Sequence, residues 1–338
     1  MATRAEPITG GPDTDEEHMA LAVALAGSVH GTTAPNPWVG CVVASPSGEL
    51  FEGATAPPGG PHAEVAALRA AGAAAGGSTL FTTLEPCAHF GRTPPCADAI
   101  LAAGVTRVVI GILDPDPNVS GKGAARLRDA GLTVDIGVGA EAIEEQLAAY
   151  LKHRRTGRPW VVLKLAATMD GRTAAPDGSS RWITGEEARR DVHELRARSD
   201  AVLVGAGTVR ADDPELTVRL DPPPADQPLR VVLGEAPAGA KVQPAIELSG
   251  DLDAVLAELG RRGVLQVLIE GGARVAHQFH ARRLIDRYVL YLAPALFGGD
   301  DGRPLFAGPG AATMADLWRG RLVSVAQLGA DLRLELAA

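Results

Sequence analysis

Thr83-Leu84-Glu85-Pro86-Cys87-Ala88-His89-Phe90-Gly91-Arg92-Thr93-Pro94-Pro95-Cys96 supplies two thiols, and His62-Ala63-Glu64-Val65 upstream adds an imidazole and a carboxylate. One histidine and two cysteines hold Zn²⁺ and leave its fourth position open to water. Residues i and i+2 do not share a helical face, so His62 and Glu64 converge only on something off the N-terminal end of the helix that follows Pro61. A metal suits that place, because a helix N-terminus favours developing negative charge. Pro94-Pro95 starts another helix with Cys96 in its first turn, where the dipole also favours thiolate. Two thiolates formally neutralise Zn²⁺ and blunt its acidity, which gives Glu64 a task as general base. A closed structural zinc site needs a fourth ligand, and neither His89 nor Cys41 has the expected spacing.

Working outward, short apolar runs punctuated by Gly and Pro alternate with Ala-rich helices. This predicts an α/β layered sheet. In the first half, strands are predicted at Val39–Ala44, Thr79–Thr83, Val105–Ile110 and Thr133–Ile136. Helices are predicted near Glu16–Val29, Ala63–Ala71, Cys96–Ala103, Ala124–Ala130 and Ala140–Tyr150. The basic stretch Lys152–Pro159 reads as a solvated linker, giving domains at 1–150 and 151–338. The second half alternates again, with strands at Val161–Leu165, Ala201–Val204, Arg230–Leu233, Val264–Ile269 and Arg287–Leu292, and a final pair near Leu322–Gln327 and Leu332–Leu336. Its helices are expected at Gly185–Arg198, Leu252–Leu259 and Ala273–His280. Glu270-Gly271-Gly272, between a strand and a helix, reads by itself first as a tight turn and second as a phosphate cradle of exposed backbone N–H groups. It is not a G-x-G-x-x-G fingerprint, so a Rossmann fold is not supported.

With 338 residues and 46% apolar composition, the chain has material for two cores; with 4% aromatics, those cores are built from Ala, Val and Leu. The net charge of −9 argues against nucleic-acid binding. No apolar run approaches the roughly 18 residues that span a bilayer, and Met1–Asp15 carries no signal-peptide core. Three cysteines make no disulfide framework. Two belong to the candidate metal site, and Cys41 reads as a buried strand residue. The expectation is a cytoplasmic protein.

His-x-Glu followed by Pro-Cys is the signature of zinc deaminases, here with eight residues between the cysteines. With Asn36-Pro37-Trp38-Val39-Gly40-Cys41-Val42-Val43, it resembles the deaminase domain of the bifunctional riboflavin-biosynthesis deaminase/reductase family. Asp114–Gly123 resembles that family's next motif, with Asp116 where relatives commonly have Asn, and Ala66 stands where they often have His. Lys164–Arg172, Ser180–Thr184, Asp191–Ala197, Asp212–Arg219 and Ile269–Ala273 are similar to its reductase domain. The likeness covers roughly residues 15 to 336. It implies an N-terminal cytidine-deaminase-like three-layer domain followed by a dihydrofolate-reductase-like α/β domain. It also implies Zn²⁺ and NADPH as cofactors and a phosphorylated diaminopyrimidine as substrate. That substrate would be deaminated and then reduced from ribosyl to ribityl. No nucleic acid or membrane partner is implied, and a homo-oligomer is.

Carried over residue by residue, the metal ligands are His62, Cys87 and Cys96, with Glu64 catalytic. Dinucleotide contacts fall on Ala166, Trp182, Thr208, Asp212, Gly272, Ala273, Arg274, Val275, Ala276, His277 and Gln278. Substrate contacts fall on Ser180, Arg196, Leu216, Arg219 and Glu270, with Arg196 and Arg219 suited to clamp a phosphate. Gly234-Glu235 replaces an Asp-Ser of relatives and sets an acid near the cofactor. Three rivals compete: a free-nucleoside deaminase with an inactive second domain, a nucleic-acid editing deaminase, and a zinc-stabilised binding module. The first leaves Arg196, Arg219 and Glu270 without a task. The cysteine spacing and charge oppose the second, and the third has no use for Glu64.

Overall fold

The computed structural model describes residues 12–90, 94–224 and 226–338. The N-terminal segment before residue 12, and Gly91-Arg92-Thr93 of the cysteine motif, lie outside the described residues. The chain divides into two compact units, Met1–Thr156 and Gly157–Ala338.

Unit one contains α1 (Pro12–Ser28), β1 (Gly40–Ala44), β2 (Leu50–Ala54), α2 (Ala63–Ala71) and, after a 3-10 turn, β3 (Thr79–Leu84). It continues with α3 (Cys96–Ala102), β4 (Arg107–Ile112), α4 (Lys122–Asp129), β5 (Thr133–Ile136), α5 (Ala140–Gln146) and α6 (Ala148–Thr156). The sheet order is β2-β1-β3-β4-β5. β1 is antiparallel to β2 and β3, whereas β3, β4 and β5 run parallel.

Helices cover both faces of this sheet, and glycines set how closely. A Cβ on Gly40 would stand 1.9 Å from the Ala22 carbonyl oxygen of α1. Gly53, paired with Cys41 and so on the opposite face, would place a Cβ 2.3 Å from the Ala63 oxygen of α2. Bare backbone at these positions lets the helices lie directly on the sheet, forming the three layers expected. The strand at Leu50–Ala54 was not expected.

The basic stretch Lys152–Pro159 contains the division between the units, but its first residues are helix rather than linker. Lys152 to Arg155 belong to α6, with His153, Arg154 and Arg155 in its last turn. Cations there favour the helix dipole, and Gly157 follows with φ 69°, suited to terminating a helix. The division at 156/157 therefore lies six residues beyond the expected 150/151.

Unit two contains β6 (Trp160–Thr168), β7 (Arg172–Ala174), α7 (Glu186–Ala197), β8 (Ala201–Gly205), α8 (Ala206–Asp212), β9 (Leu229–Leu233), β10 (Ile246–Leu248) and α9 (Leu252–Arg261). Then come β11 (Gln266–Ile269), α10 (Ala273–Ala281), β12 (Arg287–Ala293), β13 (Arg303–Pro304), β14 (Arg321–Leu328) and β15 (Asp331–Ala337). The main sheet has the order β10-β9-β8-β11-β6-β12-β15-β14. β10 through β12 in that order are parallel, and β15 and β14 close one edge antiparallel. One core joins α9 and α10 to the sheet through Val255, Leu256, Leu259 and Phe279. The other joins α7 and α8 through Ala188, Val192 and Val209. Truncating Phe279, which is fully buried, to Ala removes about 3–5 kcal/mol. No described helix is long and apolar enough to cross a membrane.

Candidate active sites

The strand β3 ends at Leu84, and the next three residues carry the chain over the top of the sheet to Cys87. His62 is the N-cap of α2, with extended backbone and no side-chain cap of its own. Its ring is therefore free to turn off the helix end, and Glu64 follows in the first turn. Cys96 is the first residue of α3. These two helix starts and the turn after β3 converge: His62 Nδ1 lies 3.2 Å from Cys96 Sγ and 3.8 Å from Cys87 Sγ. The three donor atoms all fall within 4.8 Å of one another. Tetrahedral zinc bonds of about 2.0–2.3 Å require donors roughly 3.5–3.8 Å apart, so the set fits that ion. Neither His89 nor Cys41 belongs to the group.

The two thiols differ sharply in their electrostatics. The Cys96 amide donates to Cys87 Sγ at 3.3 Å. The hydrogen bond from the Cys96 thiol pulls Cys87 down to about 4, whereas the same bond, burial and the Glu64 charge push Cys96 up. His62 is raised chiefly by its hydrogen bond with Cys87. Glu64 is 4% exposed, and burial lifts its carboxyl to about 7. Cys41 is fully buried on the α2 face of β1, its thiol pushed up by burial and by the Glu64 charge. It is the strand residue expected.

In unit two a cavity of about 1570 Å³ opens where the parallel strands end. Its wall takes Lys164 to Ala166 from β6, Gly205 to Thr208 at the end of β8, Leu233-Gly234 at the end of β9 and Glu270 to Val275 beyond β11. Carboxyl ends of parallel strands are where such sheets place ligands. The glycines form a cradle that side chains would fill. A Cβ on Gly205 or Gly271 would stand 2.7 Å from Val275 side-chain atoms. Gly272, the N-cap of α10, has no side-chain cap, and its N–H donates to Thr208 Oγ1 at 3.2 Å. Arg210 and Arg274 line the same wall. The bare cradle, a helix N-terminus and two cations fit the phosphates of a dinucleotide.

Of the expected cofactor and substrate residues, Ala166, Ser180, Thr208, Asp212, Glu270, Gly272, Ala273, Arg274, Val275, His277 and Gln278 line this cavity. Ala276 does not, because it turns into the core. Leu216 is also core, 2% exposed, with φ 56°. Trp182 is exposed, with the Arg189 guanidinium 4.6 Å from its ring centre. Arg196 does not present an open fork to a phosphate: its Nε and Nη2 donate to Glu270 at 2.5 and 3.0 Å, and its Nη1 to the Thr217 carbonyl at 2.9 Å. The Arg219 side chain is more than half exposed and reaches Glu215 at 3.5 Å and Thr217 Oγ1 at 3.3 Å, while its backbone N–H donates to His193 Nδ1 at 3.2 Å. Gly234 holds φ 101°, and the cavity wall includes it but not Glu235. Asp116 accepts from the Asn118 amide at 2.9 Å and ends 3.6 Å from Arg154.

Sequence reasoning missed Lys164, whose ammonium is pushed below the usual lysine range by burial, against the pull of Glu270. The signal was there: a lysine inside the apolar run Trp160–Thr168.

The sequence model described as "Cytidine and deoxycytidylate deaminase zinc-binding region" matches residues 12–112, and that for "RibD C-terminal domain" matches 159–334. The chain is 39% identical over 363 residues to the riboflavin biosynthesis protein RibD of Escherichia coli K12, covering 95% of this chain and 99% of that one. It is 44% identical over 340 residues to RibD of Mycobacterium tuberculosis H37Rv, covering 96% and 97%. The solved structure of Acinetobacter baumannii RibD superposes with a TM-score of 0.91 at 40% identity, covering 97% and 99%. A Thermotoga maritima diaminohydroxyphosphoribosylaminopyrimidine deaminase / 5-amino-6-(5-phosphoribosylamino)uracil reductase gives 0.87 at 34% identity, covering 96% and 99%.

Proposed function

The chain belongs to the RibD family of riboflavin biosynthesis proteins, and on that premise we propose which residues carry its two reactions and on what substrate. The first site deaminates a diaminopyrimidine bearing a phosphoribosylamino group, and the second reduces the ribosyl group to ribityl. His62, Cys87 and Cys96 hold Zn²⁺, which when bound supplies the Lewis acidity that makes water nucleophilic near neutral pH. Glu64 takes one proton of the attacking water and passes it to the ring nitrogen, then carries the second to the amino group, which leaves as ammonia as its C–N bond breaks and the ring carbonyl forms. In unit two the glycine cradle and the α10 N-terminus hold NADPH, which when bound supplies the hydride. Lys164 and Glu270 face the same cavity as charged wall groups that orient the sugar. Arg219 is the open fork for the substrate phosphate, since Glu270 occupies that of Arg196. The convergence of His62, Cys87 and Cys96 beside the buried Glu64 is the observation that carries this reading. The family likeness supports a homo-oligomer working in the cytoplasm, and sedimentation measures the first.

One incubation of the zinc-loaded chain with the diaminopyrimidine substrate tests both halves. Ammonia is expected without NADPH, and loss of the cofactor's absorbance on its addition. Absence of either signal removes the corresponding half of the assignment.

A further inference from the structure

Glu85 is 4% exposed, yet it has a whole carboxylate to satisfy. Four backbone N–H groups do so. Oε1 accepts from Gly123 at 2.9 Å and Ala124 at 3.1 Å, and Oε2 from Gly121 at 2.9 Å and Asp114 at 3.3 Å. Three of these donors belong to the start of α4. That helix has Gly121, at φ 82°, as its N-cap and no side-chain cap of its own. The first N–H groups of a helix need an outside acceptor, and Glu85 supplies it from a different element, with a negative charge that the helix dipole favours.

The fourth donor, Asp114, stands at the other end of the segment that follows β4, so a single carboxylate ties the segment's beginning to its end. Within the tie, Pro117, Asn118 and Ser120 are exposed. Lys122 Nζ donates to the Pro117 carbonyl at 2.9 Å, and the Tyr150 hydroxyl holds the Asp114 carboxylate at 3.0–3.1 Å. The tied segment also abuts the metal turn: a Cβ on Gly123 would stand 1.8 Å from the Pro86 carbonyl oxygen, one residue before Cys87.

We propose that Glu85 is a positioning residue for deamination: its carboxylate holds segment 114–121 as a fixed wall beside the metal centre, and that wall sets affinity for the pyrimidine substrate. The inference rests on the deaminase reading above. Glu85→Gln keeps the shape but turns an amide N–H toward backbone N–H donors, so at least one end of the segment is released. Zinc ligation does not pass through this carboxylate, so the loss appears in KM rather than in metal content.

The test uses the full-length, zinc-loaded chain and the diaminopyrimidine substrate. For Glu85→Gln we expect wild-type zinc stoichiometry and wild-type reductase activity on deaminated substrate. Deaminase KM should rise by roughly tenfold or more while kcat stays within about threefold. Amide exchange at Asp114, Gly121, Gly123 and Ala124 should accelerate by at least about tenfold. Faster exchange with unchanged KM overturns the proposal, as does loss of zinc, which would make Glu85 a support of the metal instead. If Glu85→Gln does not accumulate folded, Gly123→Ala decides, since its Cβ would stand 1.8 Å from the Pro86 oxygen and 3.3 Å from Glu85 Cγ and so pushes the start of α4, with the segment tied to it, off that turn. A wild-type KM in that variant overturns the proposal. Wild-type protein that releases no ammonia defeats the deaminase reading itself, an outcome distinct from either variant result.

Discussion

Replacing Arg196 by Leu strips Glu270 of its bidentate partner inside unit two. The two side chains are only 11% and 9% exposed, so solvent cannot take over the lost contacts. A charge pair about 4 Å apart at an effective dielectric of 20 is worth about 4 kcal/mol. Removing one member of a buried pair typically costs about 3–5 kcal/mol. Lys164 remains nearby as a second cation, which favours the low end, about 3 kcal/mol at pH 8. The pH dependence makes the test specific. In the wild type, burial acts to raise the Glu270 carboxyl, but the Arg196 charge and hydrogen bonds outweigh it and hold it below its usual range. Its contribution to stability is therefore complete above the ordinary carboxylate range and is lost only as pH falls through the lower folded value. Without Arg196, burial dominates and the carboxyl rises. The variant then suffers most at high pH and recovers as Glu270 takes a proton, by up to about 1.4 kcal/mol for each pH unit crossed. Urea unfolding followed by tryptophan fluorescence reports on this unit, because Trp160, Trp182 and Trp318 lie in it and only Trp38 does not. The deficit should shrink by at least about 1 kcal/mol between pH 8 and pH 5. Arg196→Leu/Glu270→Leu should regain most of the loss, since no charge is left stranded. A deficit equal at both pH values, or below about 1 kcal/mol, refutes the reasoning.

Glu64→Gln should keep its zinc and its reductase rate while ammonia release falls by about 10²–10⁴-fold; near-normal release from the zinc-loaded variant defeats the general-base role. Cys87→Ser and Cys96→Ser should each lose most of the zinc by atomic absorption, as one of three protein ligands is removed. Cys41→Ser should keep its metal and lower the unfolding midpoint instead, and equal metal loss in all three would restore Cys41 as a ligand. Arg219→Lys should raise the reductase KM by roughly tenfold, the worth of one charge-assisted hydrogen bond, and should narrow the preference over a dephosphorylated substrate. Undiminished preference would move the phosphate contact elsewhere.

The metal site was readable because its chemistry lies in short motifs whose residue types have few other uses together. The strand and helix alternation was readable wherever apolar runs were continuous, as at Val161–Leu165. β2 was not, because Leu50–Ala54 holds a glutamate and a glycine whose fitness there comes from α2 lying against Gly53. α8 was hidden for a related reason: Ala206-Gly207-Thr208 looks like a loop until it lies over the end of β8. The helical course of Lys152–Arg155 was masked by its charge, which local composition cannot distinguish from a linker. Long-range partnerships were the least visible. Nothing near Arg196 in the chain announces Glu270, and nothing near Glu85 announces Gly121 or Ala124.

Gly53 also carries a cost for mutational tolerance. The backbone of α2 rests against it at Ala63 and Ala67, with distances of 2.3 and 2.4 Å to a Cβ that is not there. Ala63 sits between His62 and Glu64. A single methyl group on an edge strand would therefore press on the helix start that carries His62 and Glu64, the residues proposed as metal ligand and proton carrier. Damage there would present as a metal-deficient enzyme, although the altered residue neither binds metal nor touches substrate. Loss-of-function screens on this chain should therefore return glycine positions that resemble active-site hits in assay and lie in the packing between layers.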